Sequence, residues 1–272
     1  NRIMLIPIIA PRGTIYDRNG DAVASNKLIF DIVIIPQELK DKAEVFSKLS
    51  GLIGTGKDEI ERIFKNNYYA PFAPVTIRKN VDKSIAFQIE ENKLDIPGVF
   101  ILTRAERYYN HPESTCHIIG YLGEINRKEL EQFKEYGYKI KDLMGRTGIE
   151  RLFDAYLRGD DGGMQLEVDN RGRLVSILGQ KEPLKGNDIT LTIDARLQDA
   201  IFDEMGSSRG ACVVMDVTSG EVITLVSQPS FNPGIFLNSG NRDKITQLLK
   251  SSRRPFLNRA IGGAYPPGST FK

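Results

Sequence analysis

Two apolar runs at 211–215 and 222–226, separated by the turn residues Asp216, Thr218, Ser219 and Gly220, constrain the fold more than any other feature. Side chains alternate between the faces of a strand, so a run that is apolar at nearly every position puts apolar groups on both faces. Such strands belong at the centre of a sheet covered on both sides. The cover is close by in the sequence: Leu197, Ala200, Ile201 and Met205 share one helical face, Gly206 ends that helix, and residues 189–193 read as a further strand. With 272 residues, 40% hydrophobic and 26% charged, the chain can bury such a core and is long enough for about two domains. That composition excludes a disordered tail, a collagen-like fibre and a disulfide-built mini-protein.

The N-terminal two thirds read differently. Residues 11–20 are extended chain leading to a hairpin at Asn19 and Gly20, both suited to positive φ, with Ala22, Val23 and Ala24 returning as a strand. Residues 28–35 make another strand. Between Gln37 and Tyr136 the pattern is mixed: Phe46, Leu49 and Ile53, then Ile60, Ile63 and Phe64, recur at helical spacing, with short strands at 75–77 and 99–102. This stretch reads as a small α+β module inserted in a β-rich framework. Ile149, Leu152, Phe153, Tyr156 and Leu157 then predict one helix with a continuous apolar stripe, opened by a Thr147/Glu150 capping box and closed by Gly159. Strands at 164–168 and 173–178 follow, joined at Asn170, Arg171 and Gly172. The polar stretch 182–186 marks a domain boundary, giving residues 1–182 and 183–272. Residues 251–268 read as loop.

The last four residues carry the chemistry. Ser269 has Lys272 three positions on, a spacing that puts both side chains on one helical face. A neutral lysine amine can take the hydroxyl proton and make the serine a nucleophile. Pro266, Pro267 and Gly268 give that serine a rigid approach with a permissive hinge. Ser-x-x-Lys alone has a bland reading, since serine is a common helix cap.

Its company weighs against the bland reading. Arg12, Gly13, Asp17, Arg18, Asn19 and Gly20 open an ordered series continued by residues 145–150 (Gly-Arg-Thr-Gly-Ile-Glu) and 157–159. Thr192 to Asp194, Leu197 with Gln198, and residues 210–216 and 219–222 follow. Ser227, Pro229, Ser230, Phe231 and Pro233, and finally 265–272 (Tyr-Pro-Pro-Gly-Ser-Thr-Phe-Lys), complete the series. The set resembles the class B penicillin-binding proteins, the peptidoglycan D,D-transpeptidases. Residues 167–173 bring it closest to the rod-elongation type, penicillin-binding protein 2. The resemblance spans both expected domains and is weakest at 37–136.

It implies an α+β chain: an elongated, β-rich pedestal of the dimerisation type over 1–182, carrying the inserted module. The N-terminal portion of a β-lactamase-like transpeptidase domain would follow over 183–272. Ser269 would be the acylated nucleophile and Lys272 its general base. The substrate would be the D-Ala-D-Ala end of a peptidoglycan stem peptide, and a β-lactam would trap the same serine. No cofactor is implied. The family's Ser-x-Asn and Lys-[Ser/Thr]-Gly motifs follow the nucleophile. The lookalikes here precede it: Ser230 with Asn232, Ser239 with Asn241, and Arg146, Thr147 and Gly148. Residues 1–272 by themselves are therefore expected not to acylate. The chain opens on Asn1 and stops at Lys272, which reads as a piece of something longer. The resemblance implies a single N-terminal membrane helix ahead of Asn1 and a periplasmic site at the bacterial inner membrane. A second reading makes residues 1 to about 182 a non-catalytic module that binds and regulates the membrane glycosyltransferase of the elongation machinery.

Other constellations have plain readings. Gly51, Gly56 and Lys57 nearly spell a phosphate loop, but Asp58 stands where Ser or Thr is needed, and residues 54–56 read as a turn between helices, capped by Thr55. His111, Cys116 and His117 lack the further ligands of a metal site. Lys250, Arg253, Arg254 and Arg259 form a basic cluster read as solvated surface, and Asp17 with Arg18 reads as a turn and a salt bridge. A net charge of +2 offers no field for nucleic acid, and no stretch reaches the ~20 apolar residues of a membrane helix.

Overall fold

The computed structural model describes residues 2–140, 142–169, 174–237 and 239–270. In chain order they form β1 (Arg2–Ile8), β2 (Ile15–Tyr16), β3 (Ala22–Ile34), α1 (Lys42–Ile53), α2 (Lys57–Asn67), β4 (Val75–Val81), α3 (Lys83–Glu91) and β5 (Val99–Tyr109). Next come α4 (Pro112–Ile119), β6 (Leu122–Glu124), α5 (Arg127–Gln132), β7 (Leu143–Gly145), α6 (Gly148–Leu152) and α7 (Asp154–Leu157). The remainder is β8 (Gly162–Val168), β9 (Leu174–Lys181), β10 (Ile189–Thr190), α8 (Ala195–Met205), β11 (Gly210–Met215), β12 (Val222–Gln228), α9 (Arg242–Lys250) and α10 (Arg259–Gly262). No helix among the described residues is long and apolar enough to cross a membrane.

These elements form two compact units that interleave along the chain. One comprises Asn1–Ala10, Lys27–Glu106 and Asp160–Leu184; the other comprises Pro11–Asn26, Arg107–Gly159 and Lys185–Lys272. The crossing after Leu184 falls in the polar 182–186 stretch, and earlier crossings weave the chain between the units before it.

The first unit is built on apolar periodicity. Asp41 caps α1 by accepting from the N–H groups of Ala43 and Glu44, and Gly54 closes it in the left-handed region at φ 65°. Gly56, not Thr55, stands at the N-cap of α2, and Gly51 lies inside α1, so the near-phosphate loop is a helix pair. Val45, Phe46, Leu49, Ile53, Ile60 and Phe64 pack with Ile32, Ile34, Val75, Ile77, Ile89 and Val99 in one core. In this core β3 runs antiparallel to β4, with Phe30 opposite Val81 and Ile34 opposite Val75. A second sheet has the order β1-β8-β9, with Ile3 opposite Glu167 and Glu167 opposite Ser176. The expected 164–168 and 173–178 strands are β8 and β9; the joining residues 170–173 lie outside the described set.

In the second unit the first hairpin forms, with Ile15 opposite Ala24 and Tyr16 opposite Ala22. Its turn differs from the expected one. Only Gly20 has positive φ, and Asp17 shapes the turn by accepting from the N–H groups of Asn19 and Asp21. The expected 189–193 strand shortens to β10, which pairs in parallel with β2. Strands β11 and β12 pair antiparallel from Gly210 and Gln228 to Met215 and Val222. Expected as a covered central pair, they are a two-stranded sheet among the described residues. The β12 face is buried at Thr224 and Val226, whereas Val213 and Met215 of β11 are exposed at 44% and 53%. Both faces of β11 are apolar, and the described residues cover one.

Candidate active site

The second unit is held together by a buried cluster of ions. Arg12 Nη2 lies 2.9 Å from both Glu150 Oε2 and Asp154 Oδ1, and Arg107 Nε lies 2.6 Å from Glu150 Oε1. Arg107 also donates to the carbonyl of Gly13, Asp154 accepts from Gly145 N–H, and the Tyr138 hydroxyl donates to Asp154. Two guanidiniums face two carboxylates, so the burial leaves no net charge.

This cluster overturns the stripe expected at 149–157. The segment breaks at Phe153 into α6 and α7, and its buried face carries Glu150, Asp154 and Leu157, while Leu152 and Tyr156 are 75% and 51% exposed. The Arg12 and Arg107 ions outbid the apolar face, because a buried carboxylate tolerates burial only beside its partners. For the same reason there is no capping box: Thr147 is the N-cap without a side-chain bond, and Glu150 is spent on the arginines. The end of α4 meets the start of α6 through glycine: a Cβ on Gly120 would sit 1.9 Å from the Thr147 carbonyl oxygen, and one on Gly148 2.3 Å from that of Ile118.

Further buried polar groups fix the strands and helices. Asp17 Oδ2 accepts from the N–H of Ala195. Burial works against ionisation of Asp17, but the N–H donors of Ala195, Asp21 and Asn19 outweigh it and hold the carboxyl below its ordinary value. Asp194 caps α8 through Arg196 and Leu197 N–H, and those donors also lower its carboxyl. On α8 the expected apolar face is not the buried one: Leu197 is 40% exposed, whereas Gln198 is fully buried. Gln198 donates to the carbonyls of Ser114 and Leu225 and accepts from Leu225 N–H, which ties α4, α8 and β12 into one block.

From β12 the chain turns at a cis Gln228–Pro229 bond into an aromatic cluster. Tyr121 stacks on Phe236 at 3.9 Å between centroids, and Phe231 meets Phe256 at 4.7 Å and the His117 ring edge-on at 5.6 Å. After α9 the expected loop is organised. His117 Nε2 lies 2.8 Å from the carbonyl oxygen of Pro255, and Asn258 Nδ2 donates back to the carbonyl of His117 at 3.2 Å. The other amide atom of Asn258, Oδ1, caps α10 by accepting from Ala260 N–H. Arg259 belongs to no solvated patch. It is 3% exposed, its N–H donates to Ser227 Oγ, and its guanidinium holds the carbonyls of Arg253, Arg254 and Leu257. A buried cation satisfied by carbonyls is a fixed strut, and it draws residues 253–257 into a closed curl.

Ser269 lies ten residues beyond Arg259 in a 3₁₀ turn spanning Gly268–Thr270, exposed, with Gly268 at φ 56°. Lys272 lies outside the described residues. The expected histidine and cysteine positions have local partners. His111 Nδ1 lies 2.6 Å from Asp199 Oδ2, and Ser114 Oγ donates to the other oxygen of the same carboxylate. The carboxylate sits between serine and imidazole, so this trio cannot pass a proton from Ser114 to His111. Burial pushes the Cys116 thiol up to about 12, which keeps it protonated and inert. Arg18 pairs with Glu221 at 3.4 Å in a surface bridge, as read from the sequence. Sequence reasoning missed His117, Asn258, Gln198 and Arg259 as positioning groups. No periodicity marks them, and only the ordered motif series hinted at Gln198.

The chain thus combines a polar-cored unit, in which an exposed serine follows Pro-Pro-Gly, with an α+β module and a three-stranded sheet. The penicillin-binding protein dimerisation domain matches residues 7–191, and the penicillin-binding protein transpeptidase domain matches residues 210–272. The chain belongs to the penicillin-binding protein family. It is 35% identical over 274 residues to the peptidoglycan D,D-transpeptidase MrdA of Acinetobacter baumannii, covering 100% of this chain and 41% of that protein. It is 34% identical over 277 residues to the MrdA of Escherichia coli, covering 100% of this chain and 44% of that one. A solved complex between penicillin-binding protein 2 and MreC from Helicobacter pylori has a chain matching at TM-score 0.76 and 26% identity, over 99% of this chain and 50% of its own. The chain thus spans less than half the length of these curated relatives. The α+β reading, with a pedestal and the start of a transpeptidase domain, holds.

Proposed function

We propose that the protein carrying this chain is a peptidoglycan D,D-transpeptidase of the elongation type, with Ser269 as nucleophile and Lys272 as general base. The observation that carries the reading is the exposed placement of Ser269, on its turn after Gly268, within the segment that matches the transpeptidase family. Ser269 Oγ gives its proton to the neutral Lys272 amine and attacks the penultimate D-alanine carbonyl. The tetrahedral adduct collapses as the terminal D-alanine leaves with a proton. An amine from a neighbouring stem peptide then displaces the serine oxygen and forms the crosslink. A β-lactam enters by the same attack, with ring opening in place of departure.

In this reading residues 1–182 are the pedestal and 183–272 the beginning of the catalytic domain, held at the periplasmic face of the inner membrane by one helix ahead of Asn1. The pedestal meets the membrane glycosyltransferase of the elongation complex. Support for protein partners comes from the Helicobacter pylori neighbour, whose fold was solved bound to MreC. Residues 1–272 alone remain unacylated, because the oxyanion and substrate-binding motifs of the family follow the nucleophile. The test is labelling with a fluorescent penicillin. The full-length protein takes up one equivalent, Ser269→Ala takes up none, Lys272→Ala is slowed by roughly 10²–10⁴, and residues 1–272 stay dark. Undiminished labelling of Ser269→Ala overturns the assignment.

A further inference from the structure

We propose that α4 positions the nucleophile: the reciprocal His117–Pro255 and Asn258–His117 hydrogen bonds form a clasp that fixes where α10 begins, and thereby where Ser269 stands. The inference rests on the reading of Ser269 as nucleophile and adds to it a control element from the part of the chain that matches the dimerisation domain.

Four observations converge on it. His117 uses its ring nitrogen on the Pro255 carbonyl and its own carbonyl on the Asn258 amide, so one residue of α4 grips the curl at two points. Asn258 is at once the grip and the N-cap of α10, so the clasp and the start of that helix cannot move independently. Arg259, next in sequence, locks the same curl from inside through three carbonyls, and its N–H is held by Ser227 of β12. Tyr121, just past α4, closes the other side through Phe231, Phe236 and Phe256. The grip point and the nucleophile are separated only by α10 and the segment 263–268, which contains Pro266 and Pro267. Proline has a fixed φ, so Pro266 and Pro267 carry a shift that reaches them rigidly as far as the Gly268 hinge beside the serine. Misplacing a reacting group by a fraction of an ångström lowers the rate of attack without removing a binding contact.

His117, Asn258 and Pro255 are therefore positioning residues, and a change that moves α4 changes the acylation rate. The experiment is stopped-flow acylation of the full-length protein by a fluorescent penicillin, resolving the dissociation constant from the acylation rate constant. His117→Ala lowers the rate constant about ten-fold and leaves the dissociation constant within about two-fold. His117→Gln restores most of the loss, since its carboxamide N–H can reach the Pro255 carbonyl. Asn258→Asp keeps the oxygen that caps α10 but turns an acceptor toward the His117 carbonyl; it slows acylation as His117→Ala does and remains foldable if the alanine variant is not. Acylation by Asn258→Asp at the wild-type rate constant overturns the clasp, as does an equal loss in His117→Gln and His117→Ala. Failure of the wild-type protein to label, or labelling that survives Ser269→Ala, removes the nucleophile reading and the clasp with it. Wild-type labelling with unaffected variants removes the clasp alone.

Discussion

The α+β module of the first unit and the polar core of the second solve the same problem with opposite materials. Around α1 and α2 the buried residues are Phe, Leu, Ile and Val, and the helix ions stay on the surface in i,i+3 and i,i+4 pairs such as Lys48 with Glu44, with Asp31 of β3, paired to Arg104, the buried exception among the described residues of this unit. In the second unit Arg12, Arg107, Glu150, Asp154, Asp17 and Gln198 are all buried. Apolar packing stabilises without prescribing one geometry, and cores survive volume-conserving exchange. Buried ions and amides restrict the geometry to arrangements that satisfy most of their polar atoms, and here only Arg12 Nε and Arg107 Nη2 of the two guanidiniums are left without a hydrogen bond among the described residues. The α+β module uses the first material. The unit that carries Ser269, the proposed nucleophile, uses the second.

The largest effect should come from testing that difference directly. Glu150→Ala leaves Arg107 without a carboxylate partner among the described residues and should lower the local stability around α6 and α7 by about 3–5 kcal/mol. Leu49→Ala in the first unit should cost a comparable ~2–5 kcal/mol around α1. The conservative exchanges then separate the units: Leu49→Met should stay below ~1.5 kcal/mol, while Glu150→Gln, equal in size, should lose about 1.5–3 kcal/mol by neutralising a hydrogen-bonded charge. Native-state hydrogen exchange on the full-length protein reads the two sites separately. A harmless Glu150→Gln would end the comparison.

The same contrast explains what the sequence made legible. The module is written in 3.6-residue periodicity, and Phe46, Leu49, Ile53, Ile60 and Phe64 are buried where that pattern puts them. In the second unit the pattern misleads. Leu152 and Tyr156 are exposed because Arg12, more than a hundred residues earlier, claims Glu150 and Asp154. Likewise Leu197 yields to Gln198, whose partners are carbonyls of α4 and β12. Local periodicity carries no information about an ion pair closed across the fold. Ser269 stands out as the candidate nucleophile on other grounds: Lys272 three positions on and the ordered series of motifs that ends in Pro266, Pro267 and Gly268. The clasp on Pro255 was not legible, since its acceptors are backbone carbonyls, which every residue has.

Acid should find the second unit first, in two stages. Burial holds the His117 imidazole below its ordinary pKa, although the Pro255 carbonyl favours the proton. The unfolded chain therefore binds a proton at His117 before the folded chain does, and stability falls with pH from about 6.5 downward until the folded pKa is passed. Asp17, Asp188 and Asp194, all in this unit, have lowered carboxyls held by N–H or side-chain donors. Their contribution is intact above the unfolded value of about 3.9 and is lost as pH falls through the folded values. Exchange protection of β12 and α8 should begin to decline as pH falls below about 6.5, and His117→Gln should flatten that first stage alone. An identical profile in the variant would place the titrating group elsewhere.

The smallest effect is also the finest test. Asp41 caps α1 and Asp194 caps α8 in the same way, each accepting from two N–H groups of the first turn. The Asp41 side chain accepts only these two bonds among the described residues, whereas Asp194 Oδ2 also accepts from Asn19 Nδ2 of the first hairpin, whose Asp17 in turn accepts from Ala195 N–H. Removing a cap costs about 0.5–2 kcal/mol. Asp41→Ala should fall at the low end and loosen only α1. Asp194→Ala should fall at the high end and loosen the Asp17 turn together with α8, because there the cap is one member of a network. Equal and purely local effects at both caps would mean that the polar groups of the second unit act one by one, and that its geometry is not set cooperatively.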